Sequence, residues 1–355
     1  MKRVGFLFEE IIKIENLELA IKNASRKKKS RKNVQRVLDN IENHALILQD
    51  LLVNEKYKSS PYTEEIIRDE SNGKERLIKK PKFFPDQCVQ WAIMQIIQPV
   101  ISKGFYEYSC GSIPKKGTHY AKKHLEKWIR KDVKNTKYVL QIDVTKYYPS
   151  INHEKLSYML SKRIKDVRVL DLLKEIIRSG GEGLPIGNYT SQWLANFYLT
   201  ECDHYIKQKL GAKHYIRYMD DIVILGSNKR KLHEIKKELE KYLNKLDLNI
   251  KYNWQVFPLD CRPLDFLGFK FYRTYTTLRA RNAIRIKRRV KKIYKKGYTT
   301  TKDASAILSY MGWIKHSNSH GFYHKHIKTY LKLNKLKEIV KNESIQRYKA
   351  YQSAY

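Results

Sequence analysis

Cysteine is scarce in this chain. Four occur in 355 residues, Cys88, Cys110, Cys202 and Cys261, and no two of them form a CxxC pair. That scatter excludes a disulfide framework or a thiolate zinc site as the organising feature, and reduced thiols in cytoplasm are the expected state. Long apolar runs are missing too: nothing approaches the roughly 18 consecutive apolar residues of a membrane-spanning helix. The opening "MKRVGFLFEEIIKIE" lacks the apolar stretch of a secretory signal and turns acidic at once. There is no internal repeat and no linker long enough to separate independent domains. Acid is the last shortage, with 36 Asp and Glu against 72 Lys and Arg, a formal charge of +36.

What is present completes the bounds. Hydrophobic residues make up 42% of the chain, enough for a sizeable core and two or three substructures. A solvated surface does not require so large a basic excess, and self-repulsion burdens the compact state. A polyanionic partner accounts for it, with nucleic acid first. The 26 tyrosines offer planar faces for stacking on bases, although most tyrosines in any protein simply pack. Binding to a membrane surface is the weaker alternative, because no basic amphipathic helix with an aromatic face stands out.

Along the chain, Ile11, Ile14 and Ile21 share a face, and Val34, Leu38, Ile41, Ala45, Leu48 and Leu52 form an amphipathic stripe. Between them "SRKKKSRKN" reads as a solvated basic loop or as an RNA-contacting arm. "EEIIRDESNGKERLIKKP" reads as a hairpin turning at "SNGK". A buried helix follows, ending near Pro99, then a glycine-punctuated basic loop and a helix from about His119. "KYVLQIDVTKYYPSI" is an apolar strand carrying one acid, Asp143. A helix is expected around 154–179, a glycine-rich loop after it, and a long helix from about Thr190. The charged stretch 229–246 reads as helix and "DFLGFKFYRT" as a strand pair. Beyond Thr277 the chain is strongly basic, helical again from about Thr301, with the last dozen residues expected to fray.

One stretch demands an explanation. "YIRYMDDIVILG" places Asp220 and Asp221 inside an apolar, β-branched run. Asp is a good turn residue, so both carboxylates could lie in water at a hairpin tip. Asp143, however, has the same setting in another strand. Three carboxylates converging from neighbouring strands need cations, and magnesium suits carboxylate, water and phosphate oxygens. Two such ions can activate an attacking 3′-hydroxyl and stabilise a leaving pyrophosphate.

The ordered blocks carry a family resemblance. "YMDD" downstream of a strand-borne Asp143 resembles the catalytic core of reverse transcriptases. "GKERLIKKP" and "CGSIPKKGTH" resemble the first two blocks of the fingers, "QIDVTKYYPSI" the third, "GLPIGNYTSQWLANFYL" the fourth, and "FLGFKF" the primer-grip strand pair. The match covers roughly residues 57–275. It implies an α+β, right-hand polymerase: an N-terminal helical extension (1–56), fingers (57–136), a palm with an antiparallel sheet (137–276, with part of the fingers) and a short, basic helical thumb (277–355).

Carried over position by position, the resemblance implies that Asp143, Asp220 and Asp221 hold two Mg²⁺ ions, with the backbone carbonyl of Val144 assisting. Tyr148 falls where the family keeps an aromatic that excludes a ribose 2′-hydroxyl; a packing tyrosine is the alternative. Arg76, Lys79 and Lys80 are candidates for clamping the incoming triphosphate, or a solvated strand face. Ile186, Gly187 and Gln192 belong to the nucleotide side. Lys115 and Lys116 are candidates for template or phosphate contact, or again a solvated face, and Tyr218 and Met219 are placed on the template–primer side. Phe266, Leu267 and Gly268 are expected to support the primer end. His316 and His320 read as thumb-surface residues rather than metal ligands.

Within the family, the fourth block commonly reads Gln–Gly followed by Ser–Pro. Here it reads Ile186–Gly187 and then Ser191–Gln192, which resembles reverse transcriptases of diversity-generating retroelements. The stretches "IENLELAIKNASRKKKSRKN" and "SYMGWIKHSNSHGFY" are similar to that group as well. It implies error-prone copying of a dedicated template RNA, with errors concentrated at template adenines. It also implies a small basic accessory protein that assembles as a barrel. The space after the thumb is too short for a maturase-like or endonuclease extension, an expectation against a full group II intron protein, and no retron hallmark stands out. Two rivals remain: an antiphage-defence enzyme copying its own non-coding RNA, and a catalytically inactive RNA-binding module.

Overall fold

The structure is a computed structural model that describes residues 2–68 and 75–352. The expected "SNGK" turn lies outside the described residues.

Four helices open the chain: α1 (Leu7–Ile11), α2 (Ile14–Ala24), α3 (Lys32–Leu38) and α4 (Ile41–Val53). The stripe from Val34 to Leu52 is therefore interrupted. Asn40 caps α4 by accepting a hydrogen bond from the Asn43 amide, which restarts the helix at Ile41. The hairpin β1 (Thr63–Arg68) and β2 (Glu75–Lys80) pairs antiparallel, Thr63 with Lys80 and Arg68 with Glu75. Helix α5 (Cys88–Ser102) runs through Pro99 instead of stopping there. After the short β3 (Ser109–Cys110) comes α6 (Thr118–Lys131), then β4 (Tyr138–Asp143).

The single helix expected around 154–179 is two, α7 (His153–Ser161) and α8 (Val167–Arg178). The break has a distant cause. Val4 pairs with Ile164, its amide bonding Arg163 O at 2.9 Å and its carbonyl accepting from the Lys165 amide at 2.7 Å. Asp166 accepts from the Phe8 amide at 2.9 Å. The long helix after the glycine-rich loop likewise divides into α9 (Tyr189–Tyr198) and α10 (Thr200–His204). Strands β5 (His214–Tyr218) and β6 (Asp221–Gly226) follow, then α11 (Lys229–Lys245) and β7 (Gln255–Pro258). The strand pair β8 (Leu264–Phe266) and β9 (Phe269–Phe271) gains a third member, β10 (Thr276–Leu278). The basic tail is helical from its start: α12 (Ala280–Lys296), α13 (Thr301–Lys315), α14 (His320–Tyr323) and α15 (Leu333–Gln352). Helix α15 thus continues into residues expected to fray.

The centre is a five-stranded sheet ordered β3-β5-β6-β4-β7, in which β3 and β5 are parallel and the other pairs antiparallel. Because strand side chains alternate, its two faces feed different cores. Leu140, Ile142, Tyr215, Ile222 and Ile224 pack with the N-terminal helices, α5 and α7 to α9. Val139, Ile216, Val223 and Leu225 pack with α6, the three-stranded sheet and α12 to α15.

Candidate active site

Tyr218 pairs with Asp221 across β5 and β6, leaving Met219 and Asp220 as a two-residue turn. Met219 takes φ 56°, the left-handed conformation that such tight turns demand at a central position. On the other side of β6, Asp221 pairs with Asp143 at the end of β4. All three carboxylates thus meet at one end of the sheet. Of the two readings of "MDD", the hairpin tip is real, and Asp220 and Asp221 are both half-buried in it. Burial first, then the negative charges of Asp220 and Asp143, push the Asp221 carboxyl up to about 7.

The site is short of positive charge. Asp143 Oδ1 is buried with no hydrogen-bond partner, while Oδ2 accepts from the Lys251 ammonium. Among the described residues, no three His, Cys, Asp or Glu side chains are posed to enclose an ion by themselves. That donor set fits a hard divalent cation, which completes its shell with water and substrate phosphate. Val144 is fully buried just beyond β4 and bridges Ile250.

The other predicted residues surround this end of the sheet. Tyr148 lies in the turn after β4, its carbonyl accepting from the Leu184 amide at 2.9 Å. Its phenol is raised by burial, then by the charge of Asp220, while Arg76 acts in the opposite sense. Asp220 and Arg76 are therefore each within electrostatic reach of Tyr148. Strand alternation divides the predicted cation trio: Arg76 and Lys80 share one face of β2, Lys79 the other. Lys80 is paired with Glu65, and Lys79 Nζ donates to Gly180 O at 2.6 Å.

The fourth-block loop closes on that hairpin. The Lys79 amide donates to Ile186 O at 2.8 Å. Gly187 takes φ 140°, and a Cβ there would stand 2.2 Å from Lys79 O. Ile186 is half-buried and Gln192 exposed. Lys115 and Lys116 lie in a loop tied to the Met219–Asp220 turn: Gly111 N bonds Lys116 O at 3.0 Å, and Met219 N bonds Cys110 O at 3.2 Å. Leu267 and Gly268, at φ 53° and 85°, form the tight turn after the buried Phe266. Gln141 Nε2 holds this strand pair to β4 through Asp265 O at 2.9 Å. His316 lies against His119 with the rings tilted by 38°, and His320 meets His324, both at the surface as expected.

Sequence reasoning missed two participants. Lys251, in the loop after α11, stands on Asp143 and bonds its carbonyl through the main chain at 2.9 Å. Arg217, two residues before the turn, is 1% exposed and paired with the fully buried Asp203. Burial opposes its charge and Asp203 more than offsets that. The signal was available for Arg217: a cation inside the apolar run is as anomalous as the acids beside it.

Residues 67–271, more than half the chain, match the family described as reverse transcriptase (RNA-dependent DNA polymerase). The Escherichia coli K12 protein YkfC is 28% identical over 175 residues, covering 46% of this chain and 45% of that protein. The retron Ec73 reverse transcriptase of Escherichia coli is 33% identical over 132 residues, covering 32% and 42%. The chain thus spans less than half the length of these relatives. Among solved structures, apo telomerase from Candida tropicalis aligns with a TM-score of 0.51 at 12% identity, over 76% of this chain and 60% of that one. This likeness is one of fold, the right-hand polymerase architecture.

Proposed function

The chain belongs to the reverse transcriptase (RNA-dependent DNA polymerase) family, and from that premise we propose that it copies a dedicated template RNA into cDNA, with reduced fidelity, as the polymerase of a diversity-generating retroelement. The observation that carries the polymerase reading is the register of Asp143 against Asp221 with Asp220 in the adjoining turn. Ile186 and Gln192, at positions where the family commonly has Gln and Pro, support the subgroup.

Domains of this family use divalent metal ions, and Mg²⁺ is the ion we assign. Asp143, Asp220 and Asp221 would hold two ions, which when bound activate the 3′-hydroxyl and stabilise the departing pyrophosphate. The chain's own residues do the rest. Tyr148 excludes a ribose 2′-hydroxyl, Arg76 meets the triphosphate, and the loop of Ile186 and Gly187 fixes the fingers hairpin against the palm. Lys115 and Lys116 take the template side, and the turn at Leu267 and Gly268 the primer. Residues 1–56 form the N-terminal extension, 57–136 the fingers, 137–276 the palm and 277–355 the thumb. The partners are the template RNA, its hybrid with cDNA, and a small basic barrel-forming accessory protein. Among the described residues no helix is long and apolar enough to cross a membrane.

Sequencing the RNA and cDNA that co-purify with the protein tests the reading. A repeat-derived RNA with cDNA errors at adenines supports it. A structured non-coding RNA copied faithfully favours the defence enzyme, and no cDNA in a Mg²⁺ primer-extension assay favours the inactive module.

Two further results are expected. Helix α12 presents a groove of about 540 Å³ lined by Arg281, Arg285, Arg288, Arg289, Lys292 and Tyr310, suited to a phosphate backbone. RNA affinity should therefore fall steeply with salt: about six neutralised phosphates at about −0.7 each give a log–log slope near −4 or steeper. A slope near zero in a filter-binding titration would remove nucleic acid as the reason for the basic excess. The second result concerns Ile186→Gln, which should lower misincorporation, most visibly opposite template adenine. Glutamine restores a donor and acceptor toward the incoming sugar, and one hydrogen bond contributes about 0.5–1.5 kcal/mol, roughly two- to tenfold in discrimination. Sequencing cDNA made by both proteins on one RNA reads the difference; an unchanged error spectrum would leave Ile186 a packing residue.

A further inference from the structure

Every donor of the buried Arg217 guanidinium has a partner. Nε and Nη2 reach the two oxygens of Asp203 at 2.7 and 2.6 Å. Nη2 also donates to Ser109 Oγ at 2.8 Å, and Nη1 to Asn196 Oδ1 at 3.3 Å and Met219 O at 2.9 Å. Tyr215 donates its hydroxyl to Asp203 Oδ1 at 2.5 Å, and Asn196 Nδ2 donates onward to Gly111 O at 2.9 Å. Stability does not account for such a cluster, because apolar side chains of similar volume commonly serve as well or better than a buried ion pair.

Its destinations suggest another use. Ser109 is in β3, Asn196 in α9 and Asp203 in α10, all elements of regular structure. Met219 O alone belongs to the catalytic turn, and it is the carbonyl of the peptide that leads into Asp220. Met219 is held at φ 56°, a conformation that non-glycine residues keep only when their surroundings enforce it. Its amide is fixed on Cys110 O, so the Arg217 bond fixes the other end of the residue and with it the orientation of the Met219–Asp220 peptide plane.

We propose that Arg217, braced by Asp203, is a positioning residue that sets the peptide plane presenting Asp220, and so sets the spacing of the metal-binding carboxylates. This rests on the reading of Asp143, Asp220 and Asp221 as metal ligands. Lysine at 217 would keep the buried charge beside Asp203 but lacks the planar fork that reaches Met219 O at the same time. The double variant Arg217→Met with Asp203→Leu removes both charges, so neither is left buried and unpaired, while Tyr215, Ser109 and Asn196 each lose one partner.

The test measures Mn²⁺ binding without nucleotide by electron paramagnetic resonance, together with thermal unfolding, RNA affinity and steady-state kinetics. In Arg217→Lys, Mn²⁺ affinity and kcat should each fall about tenfold or more, while RNA affinity and the KM for nucleotide stay within about twofold. The double variant should show the same pattern if it folds, and Arg217→Lys decides the matter if it does not. Mn²⁺ affinity and kcat within about twofold of wild type in a folded Arg217→Lys protein would overturn the proposal. Asp220→Asn with Asp221→Asn serves as the control for the underlying reading. If that protein binds Mn²⁺ like wild type, the carboxylates are not the metal ligands, and the proposal falls with that reading rather than by itself.

Discussion

A protein carrying both Asp220→Asn and Asp221→Asn should fold, bind RNA within about twofold of wild type, and make no cDNA. Asparagine keeps the size of aspartate and loses the charge that holds a divalent ion. A loss of at least about a thousandfold is expected, ~4 kcal/mol of transition-state stabilisation. RNA affinity rests on the basic surface and is untouched. A second readout follows from the protonation of Asp221. Its carboxyl is raised from 3.8 to about 7 in the fold. Between those values the metal-free folded state holds a proton that the unfolded state has released, so stability falls as pH rises through that window. The double variant lacks this loss, and in chelator above pH 7 its Tm should equal or exceed that of wild type. Sustained polymerisation by the variant would remove the two residues from the catalytic role.

Gly187→Ala should disable nucleotide use while sparing RNA binding. The new Cβ would meet the Lys79 carbonyl at 2.2 Å, and φ 140° is a conformation open in practice only to glycine. Together these cost about 2–4 kcal/mol at this contact. The Lys79–Ile186 hydrogen bond must then break. Besides that bond the hairpin is held to the loop by Lys79 Nζ on Gly180 O, and every residue of β1 is exposed. The expected result is a rise of at least about tenfold in KM for nucleotide, with faster amide exchange in β2 and an unchanged core. Gly181→Ala is the comparison, because its φ is 80° but nothing lies within 4 Å of the added carbon. Equal effects at the two positions would mean that backbone strain alone, and not the closure of the loop on the hairpin, is being measured.

Much of this architecture was legible from period and punctuation. The acids were found because an Asp inside an alternating apolar strand is costly, and that anomaly survives in the fold as a carboxyl resisting ionisation. The strand pair on either side of Gly268 was legible in the same local way. What the sequence concealed was settled by distant partners. Nothing within residues 154–179 announces a break between α7 and α8; Val4 and Phe8 impose it from the other end of the chain. The family resemblance named Arg76, Lys79 and Lys80 together, and the pairing of β2 puts Lys79 on the other face. Lys251 belongs to a loop whose sequence carries no local anomaly, and it reaches Asp143 across 108 positions.

The alternating faces of the central sheet also bear on how this chain could tolerate change. Asp143 and Asp221 have the same parity in their strands as Val139 and as Val223 and Leu225, so they stand at the edge of the face that α6 and α12 to α15 cover. A single-residue insertion in β6, between Asp221 and the anchored apolar residues, would turn the acid toward the opposite core. A two-residue insertion would restore the face but move the acid by roughly 6–7 Å along the strand, out of step with Asp143. Strands β4 and β6 are thus closed to length variation in either increment, whereas the loops between α2 and α3 and between α12 and α13 are not bound by that parity. Among descendants of this sequence, insertions should accumulate in those loops and be absent from the six residues of β6.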